Sequence, residues 1–379
     1  MMKIRYYLPL LLTVFSLLVV TSCSDSEDEE YITPPVVVED PELPIAISQV
    51  PYEKLSDYGF FKQPLNELEP STARVLPFEP SSELFTDYAK KKRFIWMPAG
   101  VSATVLSAEK NMLFPVGTIL IKNFYYEQVA PTNTQRIIET RLLVKSEEAT
   151  DLESGWHTYN YIWNEEQTEA YYDQEGNGEL VPITFMHNGQ PTSITYSIPA
   201  TLECKMCHKK IAENGDMIMP IGTKAQNLNK VLQYGAEQMN QLQKWIQIGY
   251  LSPSLPAQFA STVDWKDTSQ PIDLRAKSYL DMNCAHCHSD GGHCDYTSIR
   301  FNFSNTADEL WGICSTVNFW DVDASEIIHP GQANASSIVL RMESNQVGPM
   351  MPMIGRSIVH EEGVALIREW IDQMTTTCE

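Results

Sequence analysis

The chain has 379 residues, of which 43% are hydrophobic and 20% charged, so it is long enough to bury a sizeable core in two or three domains. Its formal net charge is −22. Nucleic acid is therefore excluded as an expected partner, because binding a phosphate backbone requires a basic surface.

The N-terminus has the pattern of an export signal. Basic residues precede an apolar run over 6–20, which leads into a lipoprotein box ending at Cys23. The run is short for a membrane span and is followed by an acidic segment over 24–30, so a cleaved signal at 1–22 fits better than a transmembrane anchor. We expect an exported lipoprotein that is anchored in the outer membrane only through lipid on Cys23, at the periplasmic face or at the cell surface.

The next two regions differ in composition. Residues 23–48 are acidic and rich in proline, which predicts an extended linker. Residues 49–200 contain strand-like apolar runs at 117–124 and 136–144, and a glycine-rich turn at 176–178. We expect a β-rich domain here, with a sandwich- or barrel-like architecture.

Charged residues in this region suggest no catalytic site. Arg136, Glu139, Arg141 and Lys145 alternate with apolar residues, as they would on a half-exposed strand. His157 and His187 are isolated and are more typical of structural histidines. We find no pattern of serine, histidine and aspartate, and no paired carboxylates, that would predict hydrolytic chemistry.

Two copies of the pentapeptide C-x-x-C-H follow, at Cys204 to His208 and at Cys284 to His288. This spacing lets two thiols form thioether bonds to one haem while the adjoining histidine ligates its iron. The sequence thus predicts two covalently bound haem c groups. The attachment residues and proximal ligands are Cys204, Cys207 and His208 for the first haem, and Cys284, Cys287 and His288 for the second.

Other cysteine chemistries fit this spacing less well. A C-x-x-C pair can form a redox dithiol or half of a four-thiolate zinc site. Zinc ribbons separate their two pairs by roughly 15–20 residues, whereas these begin at 204 and 284. Neither alternative needs a histidine directly after the second cysteine.

The haem motifs divide the rest of the chain into a first haem segment at 201–255 and a second haem domain at 256–379. Apolar residues at helical spacing predict a closing helix in each, over 236–249 and 364–374. A further helix is predicted to lead into Cys284. The expected fold class is therefore multidomain α and β, with a β-rich N-terminal domain followed by mainly α haem segments.

The order of helix, C-x-x-C-H, Met-Pro and closing helix in the second segment resembles the class I cytochrome c fold. The chain as a whole is similar to an uncharacterised family of bacterial exported dihaem cytochromes, in which a β domain precedes two haem segments. Pro115 to Thr118, Ile138 to Leu143 and Gly155-Trp156 resemble signatures of that family's β domain. The first haem segment departs from the class I pattern, because little precedes Cys204 as a helix.

The sixth ligand of each iron is predicted from methionines that precede proline. For the second haem this is Met351, which matches the class I placement, and Met350 and Met353 compete with it. For the first haem Met219 is the parallel choice. Met217 and Met239 compete there, and an open or histidine-ligated iron is an equal alternative.

Three cysteines are left after lipid and haem attachment. Cys294 and Cys314 are expected to form a disulfide, and pairing with Cys378 stays open.

Thioether ligation favours a one-electron carrier over a catalyst. We therefore expect a tethered dihaem cytochrome that passes electrons between exported redox proteins, and its acidic charge suits a partner with a basic docking patch. Two alternatives are a dihaem peroxidase-like enzyme and a redox subunit whose β domain binds a partner or a glycan.

Overall fold

An antiparallel sheet of eight strands dominates the first half of the chain. The computed structural model describes residues 42–146, 153–212, 215–317 and 322–378. The predicted signal at 1–22, the lipidation residue Cys23 and most of the predicted linker lie outside these ranges. The strands are β1 (Leu76–Pro77), β2 (Lys90–Trp96), β3 (Ile119–Val129), β4 (Thr134–Lys145), β5 (Trp156–Trp163), β6 (Ala170–Tyr172), β7 (Glu179–His187) and β8 (Gln190–Ile198).

The sheet runs in the order β1 to β6, and the hairpin of β7 and β8 joins it at β3, where Val129 pairs with Phe185. Its strands are rich in β-branched and aromatic residues, which favour extended backbone on a buried surface. One face, including Ile121 and Leu142, packs on residues 55–75. The opposite face, including Leu120 and Leu143, faces the segments that carry the cysteine motifs.

The expectation of mainly α haem segments is wrong. Of the described residues, 28% are in strands and 21% are in helices. Two β hairpins lie between the cysteine motifs, and the helices of the described residues have between 4 and 12 residues. The hairpins are β9 (Lys209–Ala212) with β10 (Gly215–Ile218), and β11 (Val231–Tyr234) with β12 (Glu237–Asn240); the helices are α1 (Thr201–His208), α2 (Ala225–Leu228), α3 (Gln241–Gln247), α4 (Ile272–Asn283), α5 (Asp308–Trp311), α6 (Ser337–Glu343) and α7 (Glu361–Asp372).

The helix predicted over 236–249 shows why the prediction failed. Only α3 forms, because Asn240 caps its start: the Asn240 side-chain oxygen accepts hydrogen bonds from the backbone N–H groups of Leu242 and Gln243. The residues before the cap pair as a strand instead. Apolar spacing alone did not locate this boundary.

Helices α4 and α7 pack together around the second motif. The Trp370 indole N–H donates to Asp273 across the pair, at 3.0 Å. Gly363 allows the close approach, because a Cβ there would lie 2.3 Å from the Tyr279 hydroxyl oxygen.

Polar contacts join the sheet region to the second segment. The Asp87 carboxylate accepts hydrogen bonds from the backbone of Ser357 and Ile358 at 2.7 and 3.1 Å. Asn283, at the end of α4, accepts one from the backbone N–H of Phe85 at 2.7 Å. All described residues belong to one compact unit. None of the helices they form is long and apolar enough to cross a bilayer.

Candidate functional site

The first motif lies on α1 and lines a cleft beneath the sheet. The Glu203 carboxylate accepts a hydrogen bond from the backbone N–H of Ala200 at 2.8 Å, which closes the first turn of the helix. Cys204 and Cys207 are then one turn apart, and His208 follows directly. All three of these motif side chains line this cleft, which we call the first cavity.

The second motif forms a tight turn immediately after α4. The backbone N–H groups of Cys287 and His288 both donate to the carbonyl oxygen of Cys284, at 3.1 and 2.9 Å. Cys284, Cys287 and His288 line a separate cleft, the second cavity. Most of its exposed lining is apolar, as expected for a site that takes a large planar cofactor.

The motif histidines are held in a form that can ligate a metal. The His208 Nδ1–H donates to the carbonyl oxygen of Met219 at 2.7 Å, which leaves Nε2 unprotonated. Burial lowers the pKa of His208 to about 4. Burial likewise lowers the pKa of His288 to about 4, and its Nδ1 lies 3.3 Å from the Thr297 hydroxyl. Both imidazoles are therefore neutral near pH 7.

The methionines predicted as sixth ligands occupy different places. Met351 and its competitor Met353 line the second cavity together with His288, whereas Met350 is not among the described lining residues. The structure thus brings Met351 to the second motif. It does so through Arg356, whose guanidinium donates to the Met351 carbonyl oxygen at 3.1 Å and so holds the loop.

Met219 is not brought to the first cavity. Its carbonyl oxygen accepts the His208 hydrogen bond, so its backbone lies on the histidine side, and its side chain is not among the described residues that line the cavity. Met217 and Met239 do not line it either. Met282, which sequence reasoning missed, does line it and is buried. In the sequence, the only indication for Met282 was its position two residues before Cys284.

The two cavities adjoin. The side chains of Cys207, Asn283, His286 and Arg356 are among those that line both. Ligand atoms of Cys207, His286 and Cys287 all lie within 4.8 Å of one another. A hydrogen bond with Cys287 lowers the pKa of the Cys207 thiol. One cysteine of each motif therefore meets its counterpart at the boundary of the cavities.

The group of Cys207, His286 and Cys287 does not match the zinc alternative. A structural zinc site uses four ligands, and two C-x-x-C pairs would have to supply them together. The group contains Cys207 and Cys287 but neither Cys204 nor Cys284, which line the two separate cavities. The four thiols therefore do not converge, whereas each pair faces a cavity with its own histidine. The residues present fit two covalently attached haems better than one zinc ion.

Comparison with known proteins adds no assignment. The chain matches no protein-family model, no curated protein and no solved structure. The resemblance to exported dihaem cytochromes therefore rests on the motifs in the sequence.

Sequence reasoning also missed the far wall of the first cavity. Arg93, Lys122, Arg141 and Asn160 lie directly opposite one another on β2, β3, β4 and β5 and line this cavity. The alternation at 139–145 was interpreted as a half-exposed strand, yet Glu139 and Lys145 are buried. Arg141, which lies between them, faces the first cavity, and a strand pattern alone cannot reveal this.

The disulfide joins Cys314 to Cys378, so the expected pairing of Cys314 with Cys294 is wrong. Cys294 is a free, buried thiol that lines the second cavity. Its backbone N–H donates to the carbonyl oxygen of Cys287, which keeps it in the turn beside the motif. Cys378, 64 residues along the chain, reaches Cys314 instead.

Proposed function

We propose that the chain is a dihaem c-type cytochrome that transfers single electrons. The observation that carries this proposal is the pair of adjoining cavities, each lined by both thiols and the histidine of one C-x-x-C-H motif. Cys204, Cys207 and His208 would hold one group, and Cys284, Cys287 and His288 the other. When bound, haem supplies an iron centre that exchanges one electron at a time.

The protein's own residues would set the properties of the two sites. The Met219 carbonyl oxygen orients the His208 imidazole and keeps Nε2 free. In the second cavity, the Met351 thioether would be the sixth ligand of the iron. Such a ligand would raise the reduction potential of the second haem and close that site to other ligands. Contact between Cys207 and Cys287 supports a short route for electrons between the two sites.

Location and partner belong to the same proposal. An export signal ending at Cys23 supports a lipoprotein tethered at the outer membrane, in a compartment where thiols can be oxidised. The disulfide between Cys314 and Cys378 agrees with such a compartment. The net charge of −22 supports electron exchange with redox proteins that present a basic patch.

Covalent haem is tested on denaturing gels of the purified protein. We expect haem colour to stay with the wild-type band, and Cys204→Ser and Cys287→Ser to weaken it. Cys294→Ser is the matched control, because Cys294 lines the second cavity without belonging to a motif. Colour lost from the wild type on denaturation would refute the proposal.

A peroxidase-like enzyme is the second candidate, and one observation favours it. The methionine predicted to close the first site, Met219, lies on the histidine side. The first cavity is therefore not lined by the methionine that was predicted to close it. Sustained peroxide turnover with a reduced electron donor would favour this candidate, whereas an absorption spectrum unchanged by added peroxide would favour the electron carrier.

A further inference from the structure

A row of cations crosses the sheet above the first cavity. Arg93 pairs with Lys122, and Lys122 pairs with Arg141, each directly across neighbouring strands. Like charges placed directly opposite on a sheet destabilise it. The chain as a whole has a net charge of −22, so a cavity wall with three adjacent cations is exceptional for it.

Only one member of this row has an acidic partner. The Arg141 guanidinium donates to the Glu139 carboxylate, with Nε 2.9 Å from Oε2, and Glu139 is completely buried. The Lys122 ammonium lies over the Phe124 ring, 4.7 Å from its centroid, and neither Lys122 nor Arg93 has an ion pair within the described parts of the chain. Arg93 is only 9% exposed. No carboxylate of the described residues therefore forms an ion pair with Arg93 or Lys122, although Glu83 and Glu79 act on Arg93 from further away. Burial lowers the pKa of Lys122 well below its usual value, and a carboxylate placed beside it would favour its charged form.

Arg356, another cation that lines the first cavity, already has hydrogen-bond partners within the protein. Arg356 donates to the Asn345 side chain and to the carbonyl oxygens of Ser344 and Met351, among others. It holds the loop of the second segment rather than facing a ligand.

The row of cations runs away from the first motif across the sheet. Helix α1 packs against β5, and a side-chain hydrogen bond joins Cys204 to Thr158 on that strand. Neighbouring strands lie about 4.8 Å apart, so Arg93 on β2 is about 14 Å from β5 across the sheet. The thiol anchor is thus at one end of the cavity, and the unpaired cations extend toward the other.

We propose that Arg93 and Lys122 bind the two propionate carboxylates of the first haem. This inference rests on the proposed function. The thioether bonds of a c-type haem form on one side of the porphyrin, and its two propionates lie on the opposite side. Two unpaired cations at the end of the cavity away from Cys204 match two carboxylates in number, sign and position.

The test compares three neutralising variants of the holoprotein. Arg93→Gln and Lys122→Gln remove a positive charge from the row. Lys90→Gln is the matched control, because Lys90 lies on the same strand as Arg93 but its side chain is 55% exposed and pairs with Glu127. Covalent haem is counted first in each protein, and both reduction potentials are then measured by redox titration.

We expect Arg93→Gln and Lys122→Gln each to lower one potential, because the lost cation no longer disfavours the oxidised, more positive state. A shift of about tenfold in the reduction equilibrium corresponds to about 59 mV for a one-electron couple. The potential that moves should be the one that Met351→Ala leaves unchanged. Arg93→Lys, which keeps the charge, should restore it, and this rescue separates a charge effect from lost packing.

Three other results would count against the proposal. The proposal is overturned if Arg93→Gln and Lys122→Gln have the same reduction potentials as Lys90→Gln. A saturable shift of the wild-type spectrum by added acetate, absent from Arg93→Gln and Lys122→Gln, would assign the row to a free carboxylate instead. Absence of covalent haem from the wild type would overturn the proposed function itself, so the two failures are distinguishable.

Discussion

The Asp281 carboxylate offers a sharp test of how the two motif segments are joined. It lies on α4, three residues before Cys284, and its side chain is completely buried. It accepts hydrogen bonds from Lys224 Nζ at 2.7 Å, Asn227 Nδ2 at 2.9 Å and the backbone N–H of Phe303 at 3.0 Å. Lys224 and Asn227 belong to the first segment and Phe303 follows the second motif.

We predict that Asp281→Asn lowers the free energy of unfolding by about 3–5 kcal/mol, the usual cost of removing one partner from a buried ion pair. The substitution keeps the shape of the side chain but leaves Lys224, whose side chain is 15% exposed, without its counter-charge. It also replaces an acceptor by an N–H₂ donor that faces other donors. Urea unfolding of the holoprotein, followed by circular dichroism, measures the change.

Two further variants of the chain complete this test. Asp290→Asn is the control, because Asp290 pairs with Arg300 while its side chain is 96% exposed, and exposed pairs contribute little. Adding Lys224→Met to Asp281→Asn should recover part of the loss, since it removes the uncompensated charge. If Asp281→Asn is no more destabilising than Asp290→Asn, the buried network does not join the segments.

The remaining predictions concern the second motif and the C-terminal part of the chain. Met351→Ala should lower one reduction potential and abolish the near-infrared sulfur-to-iron band, whereas Met350→Ala should change neither; an unaltered spectrum of the first variant would place the ligand elsewhere. Cys314→Ser should lower the free energy of unfolding by about 4 kcal/mol, from the loop of 64 residues that its bond to Cys378 closes, and equal stability under reducing and oxidising conditions would contradict this. Burial lowers the pKa of His360 to about 4 from about 6.5, so the neutral form stabilises the fold above pH 6.5 and up to about 3 kcal/mol is lost as pH falls to 4. His360→Gln should flatten that part of the pH profile, and an unchanged slope would assign it to other groups.

The parts of the site that could be predicted from sequence are those encoded locally. Two thiols and a histidine within five residues line the same cavity because a single turn of backbone brings them together, independently of the rest of the fold. The strand-like runs at 117–124 and 136–144 lie in β3 and β4 for the same reason, since alternation of side chains is a local property.

Long-range features were not predictable. Cys314 had two candidate partners in the sequence, and only the packing of the C-terminus decides between them. Met219 has the same Met-Pro context as Met351, but the hairpin of β9 and β10 turns its carbonyl oxygen toward His208. Arg141 faces the first cavity because four strands pair in register, which no short pattern contains.

The far wall of the first cavity has a consequence for how this protein can be divided. The residues of that wall, from Arg93 to Asn160, all lie on strands that precede α1, whereas the second cavity is built largely from residues after its own motif. An excised fragment 256–379 would carry most of its site with it, but an excised fragment 201–255 would lose most of its own. The sheet is thus a component of the first site rather than an accessory to it, and the two sites are not interchangeable modules.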